Sequence, residues 1–413
     1  MRDLWGRIAS TGGTRIYSAL VGIFTLTVTA RYLGPEGRGQ VAGITTWVAM
    51  FATLGSMSLG QIAIHRAGHW GPDKAAWQRE AASVLGALVL VVTAAAFALA
   101  ALLHGAVSLF GEVELVWLLL GFAALPLLLW EQYGGSILMA LEELRVLNRA
   151  QVLGRTLTAA LVGVLVGFAG FGVAGALAAT LLGQLLVSAW IFVRLLPAVT
   201  APRLPSSAQI AAYVRDGLKL HLNAVGAFLM AGMDVLMVNH FRGPAETGLY
   251  QLGTQLTTMM LIVPQAASMV IYGKIAQKGP DGAWPEHRRL LWQVIALMAV
   301  TGVVAALTAP WWLPWAAGEA FAPAVDVFRW QLAGTIGTSF SIVMAAQWIG
   351  RGYFWQASTL TLLVGGAAFA ANSLLIPRHG MYGAAWAALA CSLFAILGNG
   401  VMYRLCEKAR QPG

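Results

Sequence analysis

Two acids stand inside stretches that are otherwise apolar. Glu131 follows Trp130 and precedes Gln132-Tyr133-Gly134-Gly135, and Asp234 sits in Ala231-Gly232-Met233-Asp234-Val235-Leu236-Met237. A charge at the centre of a membrane helix costs about 2.5–3.5 kcal/mol to insert, so a water-filled cavity, a cation or a proton must compensate. One reading makes each acid part of a cavity wall, with one of them accepting a coupling proton or sodium ion. The other makes it an interhelical hydrogen bond or ion pair that fixes packing.

Two arginines pose the same choice. Arg31 ends the first apolar stretch, and Arg329 lies about two turns into the tenth. Snorkelling to the headgroups is one account of them. Contact with an anionic substrate is the other, because a guanidinium binds phosphate oxygens as a bidentate fork. Gln255, Gln265 and Gln347 are candidate cavity donors, and Trp130 and Trp330 are candidates to stack on sugar rings. Trp311-Trp312-Leu313-Pro314-Trp315 fits an interfacial aromatic belt instead. Glu112, Glu114, Glu142 and Glu143 fall in short loops and read as solvated charge. No G-x-x-x-x-G-K-[S/T] loop, nucleophile elbow or metal-ligand cluster occurs, so neither an enzyme nor a metal site is expected.

The elements that must position these residues are membrane helices. Of the 413 residues, 58% are hydrophobic and 10% charged, against about 25% charge in a soluble domain. Spans of about 20 apolar residues are placed at 13–33, 41–64, 81–104, 114–140, 150–169, 172–195, 215–241, 246–272, 288–310, 322–349, 355–376 and 381–404. Pro126 and Pro264 predict kinks in the fourth and eighth, and Gly170-Phe171-Gly172 predicts a tight turn between the fifth and sixth. Cys391 and Cys406, both on the last span, lie about 22 Å apart along a helix, too far for a disulfide.

With the N-terminus in the cytoplasm, 21 of the 26 Lys and Arg fall inside, leaving Arg31, Arg38, Arg242, Arg329 and Arg378 outside. That asymmetry puts both termini in the cytoplasm. It also accounts for the net charge of +9 without a nucleic-acid partner.

The chain repeats itself. Gly34, Pro35 and Gly39 return as Gly243, Pro244 and Gly248 at an offset of 209, and Gly172-Val173-Ala174-Gly175-Ala176 returns as Gly380-Met381-Tyr382-Gly383-Ala384 at 208. Two motifs at nearly one offset indicate a duplication. The expected organisation is a six-helix bundle over 1–196, a proline-rich linker over 197–212 and a second six-helix bundle over 213–413. Six spans per half make the halves parallel repeats, with a site expected near the bilayer middle between them.

Arg31-Tyr32-Leu33-Gly34-Pro35-Glu36-Gly37-Arg38-Gly39 resembles the first-loop signature of polysaccharide (O-antigen type) flippases in the multidrug/oligosaccharidyl-lipid/polysaccharide exporter superfamily. Asp234 to Tyr250 is similar to their seventh-helix pattern, and the two Gly-x-x-Gly-Ala turns are similar to theirs. The resemblance implies an all-α polytopic protein, two duplicated six-helix bundles around a central cavity. It implies alternating access that moves a polyprenyl-diphosphate-linked oligosaccharide to the outer leaflet of a bacterial inner membrane, with no cofactor. A cavity inside one chain needs no partner subunit, so a monomer among membrane lipids is expected, with the polysaccharide polymerase and glycosyltransferases of the same pathway as candidate partners. In the related lipid II flippases an Arg before x-Leu-Gly on the first helix binds the diphosphate, and Arg31 matches that position. The sequence departs where Val235 follows Asp234, a place the family often fills with a basic residue, and in having room for about twelve helices rather than fourteen. Two other functions are compatible with parts of the sequence. An ion-coupled multidrug and toxin extrusion antiporter shares the architecture and would favour an acidic cavity. A membrane-embedded glycan polymerase or glycosyltransferase would need a larger outer loop or a nucleotide-binding domain.

Overall fold

The computed structural model describes residues 2–67, 74–106, 115–199 and 206–408, with their side chains apart from those of 2–16, 74, 103–106, 199 and 220. Glu112, Glu114 and positions 200–205 of the expected linker lie outside the described residues. Among the described residues every regular element is helical: α1 (Arg2–Ser56), α2 (Leu59–Ala67), α3 (Lys74–Ala106), α4 (Leu115–Phe122), α5 (Leu125–Ala140), α6 (Leu144–Leu161) continued by a π-helix (Val162–Phe168), α7 (Gly172–Val199), α8 (Ser207–Ala231), α9 (Met233–Met260), α10 (Ile262–Ala317), a 3-10 turn (Glu319–Phe321), α11 (Ala324–Gly350) and α12 (Phe354–Lys408).

A helix of 55 residues such as α1 would be about 80 Å long, far more than the roughly 30 Å hydrocarbon core. It is not one rod. Gly34 has φ 64 and ψ −177, a left-handed conformation that breaks the helix, and Pro35 starts the next one without needing an amide donor. Gly243-Pro244 repeats this inside α9 with φ 82, and Gly279 and Gly380 break α10 and α12 in the same way. Helices long and apolar enough to cross a membrane number up to eight among the described residues, counting a bent pair as one. Dividing them at the four glycines gives twelve segments, the shortest of which, 233–242, follows directly on α8, in a multi-pass membrane protein.

The proline positions are informative. Pro126 lies in the first turn of α5, just after the break at Ala123-Ala124, and Pro264 lies in the first turn of α10, just after Leu261. Both expected kinks are therefore breaks that the proline follows. Gly170 and Gly172 take φ of 70 and 56 in the turn expected there. Two features differ from expectation. The second span bends at Met57 and Ser58, and the Tyr133 hydroxyl donates to the freed carbonyl of Ser56 at 3.0 Å. The inner loop expected before position 288 is helical, since the ninth span starts at Pro280. Its start, Gly279-Pro280-Asp281, repeats Gly71-Pro72-Asp73 at the offset of 208, a third repeated motif, although 71–73 lie outside the described residues.

By contacts the chain forms two compact units, Met1–Leu33 with Gln40–Val225, and Gly34–Gly39 with Gly226–Gly413. In the first unit, α6 and α7 cross closely where Gly154 faces Gly183; a Cβ on Gly154 would lie 2.9 Å from the Gly183 carbonyl oxygen. Small residues at a crossing allow such backbone approach. Ser188 of α7 donates to the Leu127 carbonyl of α5 at 2.7 Å. In the second unit, the core gathers Val235, Val238 and Tyr250 from α9 with Val327 of α11 and Ile376 and Ala384 of α12.

The short Gly34–Gly39 turn is part of the second unit, and there it meets its own repeat. A Cβ on Gly39 would run into the Pro244 carbonyl, and a Cβ on Gly248 would run into the Pro35 carbonyl. The contact is reciprocal, each copy of the motif presenting its glycine to the other's proline carbonyl. Both glycines are needed at their closest approach.

Candidate functional site

In the first unit, Glu131 of α5 is half-buried, and each of its oxygens accepts a hydrogen bond from a different helix. Gln151 Nε2 of α6 reaches Oε1 at 3.0 Å, and Gln184 Nε2 of α7 reaches Oε2 at 2.6 Å. The local fold explains the convergence. Gln151 lies one turn before Gly154 and Gln184 directly after Gly183, so the close crossing of α6 and α7 brings both amides together. The Ser188 to Leu127 bond then fixes α5, one turn before Glu131. Both donors are neutral, and no ion pair to Glu131 exists among the described residues. Trp130 beside it is buried against Phe192, with ring centroids 5.9 Å apart.

In the second unit, Asp234 is buried at the start of α9. Its Oδ2 accepts from the Tyr250 hydroxyl at 2.5 Å and its Oδ1 from the Val235 amide at 2.8 Å. Gln331 of α11 joins the network, donating to the Tyr250 carbonyl at 3.2 Å and to Thr254 Oγ1 at 2.9 Å. The acid is therefore seated by packing groups, and Val235 contributes only its backbone.

Gln255 is engaged by Arg38, one of the five cations that charge counting places outside. Arg38 is buried, 5% exposed, and its guanidinium donates to Gln251 Oε1 at 2.8 Å and Gln255 Oε1 at 2.6 Å. The burial of Arg38 has a physical cause. The Gly34 break restarts the helix at Pro35 with no loop, and the close approach at Gly39 carries Arg38 onto α9. The signal available in the sequence was the adjacency of Arg38 to a repeated glycine.

The remaining candidates are dispersed. Arg31 is exposed near the end of the first segment of α1. Arg329 is exposed and tied down locally, to Asp326 at 2.9 Å and to the Ala306 carbonyl at 3.0 Å. Trp330 is 43% exposed and meets Trp386 edge-on at 6.3 Å. Gln265 is half-buried next to Pro264. Gln347, fully buried, instead contacts His287 at 3.1 Å and accepts from Arg351 at 3.2 Å. Glu131 and Asp234 fall in different units, as do Arg31 and Arg38.

The helical order, the glycine breaks and the polar groups set inside spans define a class, the multi-pass helical membrane proteins. The fold is similar to the structure described as "Lipid II flippase MurJ, inward closed conformation", with a TM-score of 0.78 at 12% identity, covering 95% of this chain and 86% of that one. It is also similar to an inward-facing multidrug resistance MATE family transporter of the MOP superfamily, with a TM-score of 0.72 at 16% identity, covering 97% and 100%. A third similar structure is a MOP superfamily transporter from Pyrococcus furiosus whose title reports a binding pocket of reverse polarity, with a TM-score of 0.63 at 16% identity, covering 98% and 96%. No curated protein sequence matches the chain. The family model for "Polysaccharide biosynthesis protein" matches residues 4–277. The chain belongs to the polysaccharide biosynthesis protein family.

Proposed function

We propose that this protein is a flippase that moves a polyprenyl-diphosphate-linked oligosaccharide from the cytoplasmic to the outer leaflet by alternating access, for export of cell-surface polysaccharide. The family membership carries the reading, because a polysaccharide pathway built on a lipid carrier needs its charged, hydrophilic head taken across hydrocarbon. The treatment of charge supports it. Both acids within the spans are held by neutral donors of their own unit, while Arg31 stands exposed on the first helix. A guanidinium there suits the diphosphate. The protein then resides in a bacterial inner membrane with both termini cytoplasmic, acts as a monomer, and works beside the polymerase and glycosyltransferases of its pathway.

One observation favours a second reading. The fold matches a multidrug transporter nearly as well as it matches a flippase, and two acids lie within spans. The experiment that separates them uses the purified protein in sealed liposomes. A panel of labelled polyprenyl-diphosphate oligosaccharides is scored for leaflet exchange, and an organic cation is scored for ion-driven uptake. The flippase reading expects accelerated exchange of at least one glycan and no cation uptake. Cation uptake without glycan exchange would replace it with the antiporter.

A further inference from the structure

Three helices of the second unit form a V at the face that charge counting places inside. α10 and α12 each pack along α11, and large side chains bridge from one to the other. Trp292 Nε1 of α10 donates to the Tyr403 hydroxyl of α12 at 3.4 Å. Closer to the ends of the same helices, Trp284 and Arg288 of α10 donate to Glu407 of α12 at 2.8 and 3.1 Å. The groove between α10 and α12 thus has an aromatic floor, and it is open, with Trp292 52% exposed. Further along, α10 exposes Val300 and Val303, and α12 exposes Leu393 and Leu397. The acids at this face are occupied. Glu407 binds Arg288 through both oxygens, Glu286 binds Lys274 and Lys278, and Asp281 binds Arg351. Arg289 and Arg404 are exposed and have no acid partner among the described residues. Arg289 stands three residues before Trp292, and Arg404 one residue after Tyr403. The two helices run antiparallel here, so both cations lie beyond the aromatic pair toward one face, within about 3 Å of one level.

We propose that this groove binds an anionic phospholipid, with its phosphate between Arg289 and Arg404, its glycerol region against Trp292 and Tyr403, and its chains along the apolar walls beyond them. Charge selects the headgroup. Two guanidiniums without carboxylates call for an anion, and phosphate oxygens suit the guanidinium fork. Polarity selects the rest of the ligand. A free anion would leave the indole and the valine and leucine walls uncovered, whereas a lipid covers both. Trp and Tyr favour the level at which headgroups give way to chains. Basic grooves between membrane helices on the inner side take anionic headgroups. Basic residues at inner helix ends are ordinary in themselves. This groove differs in having its acids already neutralised by other cations, and in an aromatic pair hydrogen-bonded across it. A lipid that fills the V ties α10 to α12 along a line where side chains alone now join them.

The inference holds whatever the protein transports. The full-length protein in a neutral detergent is titrated with phosphatidylglycerol or with phosphatidylcholine of identical chains. Native mass spectrometry gives the lipid concentration at which half of the protein carries its first lipid. The natural protein is expected to take phosphatidylglycerol at the lower concentration. The double variant Arg289→Gln with Arg404→Gln is expected to need about tenfold more phosphatidylglycerol, with its binding of phosphatidylcholine unchanged. The control is Arg149→Gln with Arg155→Gln, which removes the same charge from exposed positions on α6 in the first unit and is expected to bind as the natural protein does. All four positions are exposed, so both variants keep their cores, and their melting temperatures verify folding. Equal concentrations for the two lipids in the natural protein would overturn the proposal. So would an equal loss in the two double variants, which would mark a general effect of surface charge. A polyprenyl diphosphate that binds more tightly than phosphatidylglycerol, and weakens in the Arg289 and Arg404 variant, would also overturn it, by making the groove a seat for a carrier lipid.

Discussion

The guanidinium of Arg38 donates to Gln255 Oε1 at 2.6 Å, although 217 positions separate the two residues in the sequence. Gln251, one turn earlier on α9, takes a second bond at 2.8 Å, so two glutamine oxygens share one buried cation. Hydrogen bonds to a charged group contribute about 1.5–3 kcal/mol. Arg38→Ala is expected to lose stability of that order, seen as a lower melting temperature in detergent. Arg38→Lys is expected to recover much of it, because both bonds leave the single nitrogen Nη2 and an ammonium can direct two N–H groups at the same glutamine pair.

The reciprocal turn contact predicts a glycine requirement. A methyl group at Gly39 or Gly248 meets backbone carbonyls, which cannot rotate away. Each Gly→Ala change is expected to destabilise by about 1–3 kcal/mol. Gly86 of α3 is the control, since a Cβ there meets nothing within 4 Å. Gly86→Ala is expected to be neutral, or stabilising by up to about 1 kcal/mol. Thermal melts of the three variants check this directly.

Asp234 and Tyr250 are expected to act as a pair. Removing either leaves a buried polar partner unsatisfied, at about 1–3 kcal/mol. Asp234→Ala and Tyr250→Phe should each destabilise, and the double variant should cost less than both added together. A coupling energy of roughly 0.5–3 kcal/mol in a double-mutant cycle is the expected reading. A cycle that closes at zero would detach Asp234 from its packing role.

Arg329 is expected to be dispensable. Its exposed ion pair with Asp326 is worth about 1 kcal/mol or less. Arg329→Ala should therefore retain leaflet exchange at nearly the natural rate and melt close to the natural temperature.

Particular residues show why some of this was legible in the sequence. Gly34-Pro35 and Gly243-Pro244 announce a break wherever they occur, because backbone chemistry is local. The twelve spans follow from hydropathy, and the duplication follows from constant offsets. Gly279-Pro280-Asp281 carries the same local signal. Arg38 was different. Charge counting assigns an arginine near a turn to the surface, whereas its burial depends on glutamines more than 200 positions away. Gln151 and Gln184 were hidden for the same reason. Nothing local marks them, and only the crossing at Gly154 and Gly183 brings them to Glu131.

The role of Arg31 gives the most direct test of the proposed function. Leaflet exchange of a labelled polyprenyl-diphosphate oligosaccharide is followed in sealed liposomes containing the natural protein, Arg31→Ala or Arg31→Lys, each verified as folded by its melting temperature. The account predicts that exchange is accelerated by the natural protein, abolished in Arg31→Ala and partly kept in Arg31→Lys, where the charge survives without the fork. Exchange at the natural rate by folded Arg31→Ala would contradict it.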